Sequence, residues 1–309
     1  MGLASHEETI KEHAKKRYNA HFMLIDGMTK VMTNQDKKCQ SLDFHAAGLK
    51  WSFYIKSDVV KDHLSCYLSI KDEKCIGSNW EVQCSFNLIV VSHTGLADLC
   101  KPCAACFTEK NPSWGQASLI SNVDLKKNYL VNEKVVFCAE ITEVKPKFLN
   151  VNSVSPTMGT VERLKLTEVQ RKNSRFTWKI TQFSSFDGEH HSSYEFTVGP
   201  RRWNISMYPK GVAEASGKFL SLFLTATDYV TNGPKAATLA VFRLRVLDQL
   251  KRKHRELDEE CCWFSSGSTW GTRKALALEE LHKASNGFLV NDEIYLGVEF
   301  FFVSTTDYL

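Results

Sequence analysis

The chain has 309 residues, of which 43% are hydrophobic, 11% aromatic and 24% charged, as expected for one large or two ordinary folded domains. No apolar run approaches the roughly 18 residues that a membrane helix needs, and charges fill the first twenty residues where a signal peptide is apolar. The net charge of only +4 disfavours nucleic acid as a partner. We therefore expect neither a membrane nor a nucleic-acid partner, and a cytoplasmic protein with the nucleus as the alternative.

The N-terminal segment carries charge pairs at helical spacing, such as Glu7 with Lys11 and Glu12 with Lys16. It lacks the three or four successive heptads that a trimerising coiled coil needs. We therefore expect the isolated chain to be a monomer.

An internal repeat organises the rest of the chain. DHLSCYLSIKD at 62–72 recurs as KFLSLFLTATD at 218–228, a step of 156 residues (218 − 62), and SWG recurs as TWG at the same step. Upstream the step is 152, and downstream it is 159. A period of this length indicates a duplicated domain and not a solenoid repeat. We predict two copies, at 20–143 and 175–304, joined by a polar linker at 144–174 that contains two prolines.

Within each copy apolar and polar residues alternate, as in 51–55 and 203–207, which is typical of half-buried β-strands. Further short strand-like runs are LSCYLSI, VQCSFNLIVV and EKVVFCAEI in the first copy, and LSLFLTA, LAVFRLRVL and DEIYLGVEFFFV in the second. The only helical patterns inside the copies are short and follow each Trp-Gly. This pattern predicts an all-β protein made of two tandem antiparallel β-sandwiches.

The second copy resembles the MATH (meprin and TRAF homology) family through FTWKITQF, SYEFTVGPRRWNISMYPKG, FLSLFLTATD, FRLRVLD, STWG and GFLVNDEIYLGVEF. The repeat extends the resemblance to the first copy through LKWSFYI, HLSCYLSIKD, FNLIVVS, SWG and LVNEKVVF. The first copy departs where MLIDGM replaces WKITQF and where IKSD replaces the YPKG turn. The tandem arrangement is similar to a plant group of such proteins, and the resemblance implies about eight strands in each sandwich.

The resemblance also implies a function: binding extended peptide segments of partner proteins, in an adaptor that recruits clients to a ubiquitin-ligase complex. Two copies on one chain would favour avidity. In adaptor relatives the peptide groove is lined by aromatic residues, which correspond here to Tyr67, Phe86 and Trp114 in the first copy and to Phe223, Phe242 and Trp270 in the second. The alternative is that these grooves are degenerate and that another surface binds the partner.

Residue parity separates these aromatic residues. Tyr67 and Phe223 share the Ser/Thr face of their strands, which suggests a contact surface. Phe86 and Phe242 instead share the parity of apolar residues typical of the core. A position in the core is therefore as compatible with the sequence as one in the groove, unless a β-bulge turns these side chains outward. The tryptophans, each before a glycine, could also be structural.

Cys100, Cys103 and Cys106 have the C-x2-C-x2-C spacing of iron–sulfur proteins, but Lys110 occupies the fourth ligand position. The repeat aligns Cys106 with Cys262, which suggests that a strand begins there and that the other two thiols lie in a loop. We expect free thiols, no metal and no cofactor, because the chain has no signal peptide that would lead to an oxidising compartment.

The enzymatic alternative is a thiol- or metal-dependent hydrolase that uses these cysteines with His190 and His191. No H-E-x-x-H, G-x-S-x-G or papain-type signature surrounds the histidines, and the two copies leave little room for a catalytic domain. We therefore expect a non-enzymatic interaction protein.

Overall fold

A computed structural model describes residues 6–33, 38–58, 61–71, 80–92, 97–146, 155–167, 169, 174–186, 189–199, 201–227, 237–264 and 268–309. The chain divides into two compact units: unit 1 consists of Met1–Leu166 with Thr306–Leu309, and unit 2 of Thr167–Thr305. Among the described residues, no helix is long and apolar enough to cross a membrane.

Unit 1 contains three helices and ten strands in its described residues. In chain order these are α1 (His6–Lys15), β1 (Ala20–Asp26), α2 (Met28–Met32), β2 (Lys38–Gln40), β3 (Phe44–Ala46), β4 (Leu49–Asp58), β5 (His63–Ile70), β6 (Glu81–Val91), β7 (Leu99–Thr108), β8 (Ser113–Ser121), α3 (Asn122–Asn128), β9 (Lys134–Pro146) and β10 (Thr160–Thr167). One sheet has the order β10-β1-β9-β6-β7, and the other has β2-β4-β5-β8 with β3 also beside β4.

Unit 2 repeats this plan. Its elements are β11 (Arg175–Ile180), β12 (His191–Ser192), β13 (Phe196–Val198), β14 (Arg201–Tyr208), β15 (Phe219–Ala226), β16 (Thr238–Val246), β17 (Arg255–Glu256), β18 (Glu260–Phe264), β19 (Thr269–Ala277), α4 (Leu278–His282) and β20 (Ile294–Tyr308). One sheet places β11 and β16 on β20, with β17 and β18 on β16, and the other has the order β12-β14-β15-β19 with β13 beside β14. With each interrupted edge strand counted once, the described residues give eight strands per unit, and unit 1 adds β10.

The core of each unit forms where the period-two pattern places apolar residues on the inner faces of its sheets. Trp51 and Trp203, on equivalent strands, are fully buried. Their indole Nε1–H groups donate to backbone oxygens, of Ala46 at 2.9 Å and of Val198 at 3.1 Å. The two residues therefore bury large apolar rings without leaving a polar atom unpaired.

Helix α1 covers part of the second face of a sheet in unit 1. Its first turn is acidic and its last turn basic, which complements the helix dipole. Ile10 and Ala14 lie four residues apart on one side of the helix and are buried against Phe22 and Leu24 of β1. This packing explains why β1 is buried on both faces and why its sequence is nearly continuously apolar.

The segment that we predicted to be a linker contains a strand. β10 lies within 144–174 and pairs parallel to β1 over residues 160–165, while β9 continues to Pro146. Within the rest of that segment, 147–154, 168 and 170–173 lie outside the described residues. The sequence did not indicate β10 because charged residues separate its buried Val161, Leu164 and Leu166, which do not keep a strict period of two.

The cysteine segment also differs from expectation. β7 begins at Leu99, so Cys100, Cys103 and Cys106 all lie on a strand and not partly in a loop. Pairing with the neighbouring strands sets Cys84 opposite Ala105 and Ala240 opposite Cys262. Since Cys84 and Ala240 are equivalent at the repeat step, Cys262 corresponds to Ala105, and the expected match with Cys106 is wrong by one residue.

Each unit contains an equivalent set of buried hydrogen bonds, in addition to equivalent strands. The hydroxyl of Ser193 accepts from the Ile205 N–H at 3.0 Å and donates to the Tyr194 oxygen at 2.8 Å. In unit 1, Ser41 makes the same pair of bonds at 3.0 and 2.8 Å. A small hydroxyl residue is therefore required at this bend between edge strands.

We predict that Ser193→Ala destabilises unit 2 by about 1–3 kcal/mol, because the buried N–H of Ile205 loses an acceptor. Urea unfolding followed by tryptophan fluorescence measures the change. The matched control is Ser192→Ala, whose exposed hydroxyl should contribute no more than about 0.5 kcal/mol. Equal midpoints for the two variants would contradict a structural role for Ser193.

Candidate functional site

A groove lies on the outer face of the β12-β14-β15-β19 sheet in unit 2. Along β14 and β15 every second side chain points away from the core. These outward side chains form the floor and walls of the groove. Its volume is about 470 Å³. The lining residues are His190, Ser192, Asn204, Ser206, Tyr208, Val212, Ala213, Phe223, Thr225, Thr269 and Arg273.

Aromatic rings form one wall of this groove. The ring of Tyr208 meets the ring of Phe223 edge-on, with centroids 6.1 Å apart, and His190 lies 5.3 Å from Tyr208. Phe223 is only half-buried, although it is surrounded on its strand by fully buried residues. An aromatic wall of this kind offers apolar area to a ligand at low cost in side-chain entropy.

Hydroxyl groups form the floor. The Ser192 and Ser206 oxygens are 3.3 Å apart, and the Thr225 and Thr269 oxygens are 3.1 Å apart. Each hydroxyl can both donate and accept, so these pairs can exchange an internal hydrogen bond for one to a ligand. The floor is therefore suited to polar main-chain or side-chain groups.

One cation stands at the rim. Arg273 Nη1 lies 3.1 Å from a carboxylate oxygen of Glu214, and both side chains are more than half exposed. The pKa of Glu214 is lowered, first by a hydrogen bond from its own backbone N–H and then by Arg273. Because an exposed ion pair of this type is worth little, a ligand carboxylate can replace Glu214 on Arg273.

The Trp-Gly motif allows β19 to approach the groove. A Cβ atom at Gly271 would lie 2.7 Å from the Cα of Phe223 on β15, and one at Gly115 would lie 2.6 Å from the Cα of Tyr67. No side chain fits at these distances. Each glycine therefore brings an edge strand against the backbone of the strand that carries the outward aromatic residue.

The six predicted groove residues lie in three different environments: the outer sheet faces, the cores and the edge strands. Tyr67 and Phe223 lie on the outer faces and are half-buried, as parity indicated. Phe86 and Phe242 are 1% and 0% exposed and belong to the cores, so their assignment to a peptide groove is wrong. The bulges beside them lie in the partner strands β9 and β20, and β6 and β16 therefore keep their inward parity.

The tryptophans occupy a different position from the outward aromatic residues. Trp114 pairs with Leu68, and Trp270 pairs with Leu224. Because cross-strand partners share a face, both tryptophans lie on the inner face of their sheet. They lie on edge strands and are 42% and 44% exposed. The Trp270 Nε1–H donates to the Trp263 oxygen on β18 at 2.6 Å, across the open edge between the two sheets. Trp270 therefore flanks β19 on the side opposite to Phe223.

Sequence reasoning missed several lining residues. Tyr208 and Ser206 share the outward parity of β14, so the signal that identified Phe223 was present for them too. His190 is exposed and lies just before β12, where it lines the groove with its Nε2 3.3 Å from the Ser192 oxygen. Arg273 had no distinguishing sequence signal.

The buried cysteines Cys66, Cys84 and Cys138 do not resemble activated nucleophiles. Burial raises the pKa of Cys84 to about 12 and raises those of Cys66 and Cys138 as well. A catalytic thiolate requires the opposite shift. The described residues contain no group of three or more His, Cys, Asp or Glu side chains that could hold a metal ion.

These features define a class: an all-β protein of two sandwiches, with an open groove on one outer sheet face. Residues 20–141 and 175–300 match the MATH domain family. The chain therefore belongs to the MATH family, whose domains mediate protein–protein interactions, and it is a tandem member of the plant type.

Three relatives from Arabidopsis thaliana illustrate the match. A MATH domain and coiled-coil domain-containing protein is 37% identical over 128 residues, covering 41% of this chain and 40% of the relative. Protein RESTRICTED TEV MOVEMENT 3 is 32% identical over 130 residues, covering 41% and 42%. Ubiquitin C-terminal hydrolase 12 is 31% identical over 135 residues, covering 43% of this chain but 12% of that enzyme.

Among solved structures, TRAF5 of Notothenia coriiceps is similar at 22% identity and a TM-score of 0.34, covering 41% of this chain and 73% of that chain. The matched segments span about 40% of the length of the first plant relatives. Similarity to these relatives therefore concerns the domain and not their whole length.

We predict that Leu222→Ala and Phe223→Ala differ sharply in stability. Leu222 is fully buried, so its truncation should cost about 2–5 kcal/mol. Phe223 is half-buried with one edge-on ring contact, so its loss should cost about 1 kcal/mol or less. Thermal and urea unfolding of both variants measure the difference, and a larger loss for Phe223→Ala would contradict its position on the outer face.

We also predict that, among the cysteines that the structure describes, a thiol reagent at about pH 8 labels Cys100 first, because its side chain is exposed. With a pKa of about 12, only about one Cys84 thiol in ten thousand is ionised at that pH, so it should react only on unfolding. Mass mapping of the labelled protein locates the modified thiols, with Cys100→Ser as the control. Rapid labelling of Cys84 in the folded chain would be inconsistent with its burial.

Proposed function

We propose that unit 2 binds extended peptide segments of partner proteins in the groove lined by Phe223 and Tyr208. The observation that carries this proposal is an aromatic wall on the polar face of a sheet, where packing of the core does not require it. A volume of about 470 Å³ lies within the roughly 300–1,000 Å³ of typical ligand sites. It can hold a few side chains of an extended chain, but not a folded domain.

The edge strand beside the groove supports an extended ligand. β19 pairs with β15 and is the last strand in its sheet among the described residues. Edge strands present unpaired backbone groups on their free side, to which a peptide can add as a further strand. Alternate side chains of such a peptide would then face the groove, with the exposed Trp270 ring on the other side of β19.

The positive charge at the rim of the groove supports a preference for acidic peptide segments. In the part of the chain that the structure describes, the Arg273 guanidinium pairs with the exposed Glu214 carboxylate, so an acidic ligand residue can take that place with little loss. The hydroxyl pairs on the floor complement polar groups further along the same segment. The groove therefore favours a polar, acidic segment with an apolar side chain against the aromatic wall.

We further propose that the chain acts as an adaptor, in the cytoplasm, that recruits clients to a ubiquitin-ligase complex assembled by other chains. One relative joins a domain 31% identical to part of this chain to an enzyme named as a ubiquitin C-terminal hydrolase, which supports a role near that system. Reconstitution with candidate ligase subunits, followed by ubiquitylation of a groove-bound client, tests this role; no stimulation over ligase alone would contradict it.

We predict that Phe223→Ala weakens peptide binding at least about tenfold while leaving the fold intact. Peptides selected on the full chain from a phage-displayed library of random dodecamers, labelled and titrated by fluorescence anisotropy, provide the measurement. The matched control is Tyr194→Ala, since Tyr194 is an aromatic residue of unit 2 that is 87% exposed and does not line the groove. Selected peptides that bind both variants like wild type would contradict the proposal.

A further inference from the structure

The outer face of unit 1 differs from that of unit 2 at one decisive position. In unit 2, Ser206 of β14 lies directly across from Phe223 of β15. In unit 1, Tyr54 of β4 lies directly across from Tyr67 of β5. The step of 152 residues makes Tyr54 the equivalent of Ser206 (206 − 54), so a large ring stands where unit 2 has a hydroxymethyl group.

The tyrosine pair occupies the position on the face of unit 1 at which Ser206 and Phe223 lie in unit 2. The rings of Tyr54 and Tyr67 are stacked, with centroids 5.3 Å apart and planes inclined by 21°. Lys38 of β2 then covers the ring of Tyr54, its ammonium nitrogen 4.6 Å from the centroid. Burial raises the pKa of the Tyr54 hydroxyl, in keeping with a ring that is largely covered by its neighbours.

Polar residues that line the groove in unit 2 are also replaced by other residues in unit 1. Ala117 replaces Arg273 at the repeat step of 156, so unit 1 has no cation at that rim position. Lys38 replaces His190 at the step of 152, and it points over Tyr54 instead of bordering an open space. Stacked aromatic rings under a cation stabilise each other, so a ligand would have to displace contacts that already exist.

Resting on the proposed function, we infer that only unit 2 captures a peptide, and that the face of unit 1 is closed by its own side chains. Ser206 is the residue that keeps the groove of unit 2 open. One chain therefore binds one peptide at these faces, and duplication supplies no second groove for avidity.

Exchanging the decisive residues tests the inference. Ser206→Tyr recreates in unit 2 the pairing that unit 1 already accommodates, and it should weaken the selected dodecamers at least about tenfold. Tyr67→Ala, the counterpart of Phe223→Ala, should leave their affinity unchanged. Isothermal titration calorimetry on the full chain should give one site per chain. Two sites, or equal losses for Tyr67→Ala and Phe223→Ala, would overturn the inference while leaving peptide binding itself intact.

Accessibility of the two faces can be tested without a peptide. In a chain with isotope-labelled tyrosines, titration with p-cresol should shift the aromatic NMR signals of Tyr208 but not those of Tyr54 or Tyr67. Ser206→Tyr should abolish the shift, and Tyr54→Ser should create one at Tyr67. Equal shifts in both units of the wild type would overturn the inference. Failure of the proposed function would appear separately, as selected peptides insensitive to Phe223→Ala.

Discussion

Each unit depends on one buried tryptophan that connects its two sheets. Trp51 meets Phe107 edge-on at 5.5 Å and Trp203 meets Phe264 at 4.9 Å, so each indole spans the space between the sheets. Its N–H is satisfied by the hairpin that precedes it, which also fixes the position of the edge strand. The residues paired with the tryptophan across its sheet share its inward face; they are Phe44 and Ile70 in unit 1, and Phe196 and Ala226 in unit 2.

The same constraint leaves the outer faces free to diverge. A residue on the outward parity can change size without creating a cavity in the core, whereas an inward residue cannot. The two units accordingly keep the serine bonds of Ser41 and Ser193. They differ at Tyr54 and Ser206, which follow directly on the residues that these serines hydrogen-bond. Duplication has preserved the packing and altered the surface.

Much of the fold was predictable because it follows from alternation and from the repeat. The outward positions of Tyr67 and Phe223 followed from parity, and the core position of Phe242 was one of two alternatives that parity left open. What local sequence could not show depends on long-range pairing: the parallel strand β10 from a polar segment, and the one-residue register change around Cys262. The groove itself required knowledge of which side chain lies across from Phe223.

A groove whose opening depends on one small residue links specificity to packing on a sheet surface. Cross-strand pairs are the units of contact on such a face, so the residue opposite an aromatic ring decides whether that ring stacks internally or remains available. With Tyr54 opposite, the aromatic ring of unit 1 contributes to its own sheet. With Ser206 opposite, the ring of Phe223 in unit 2 meets Tyr208 edge-on and stays partly exposed. The apolar area that stabilises the first unit is therefore the area that we propose for peptide binding in the second.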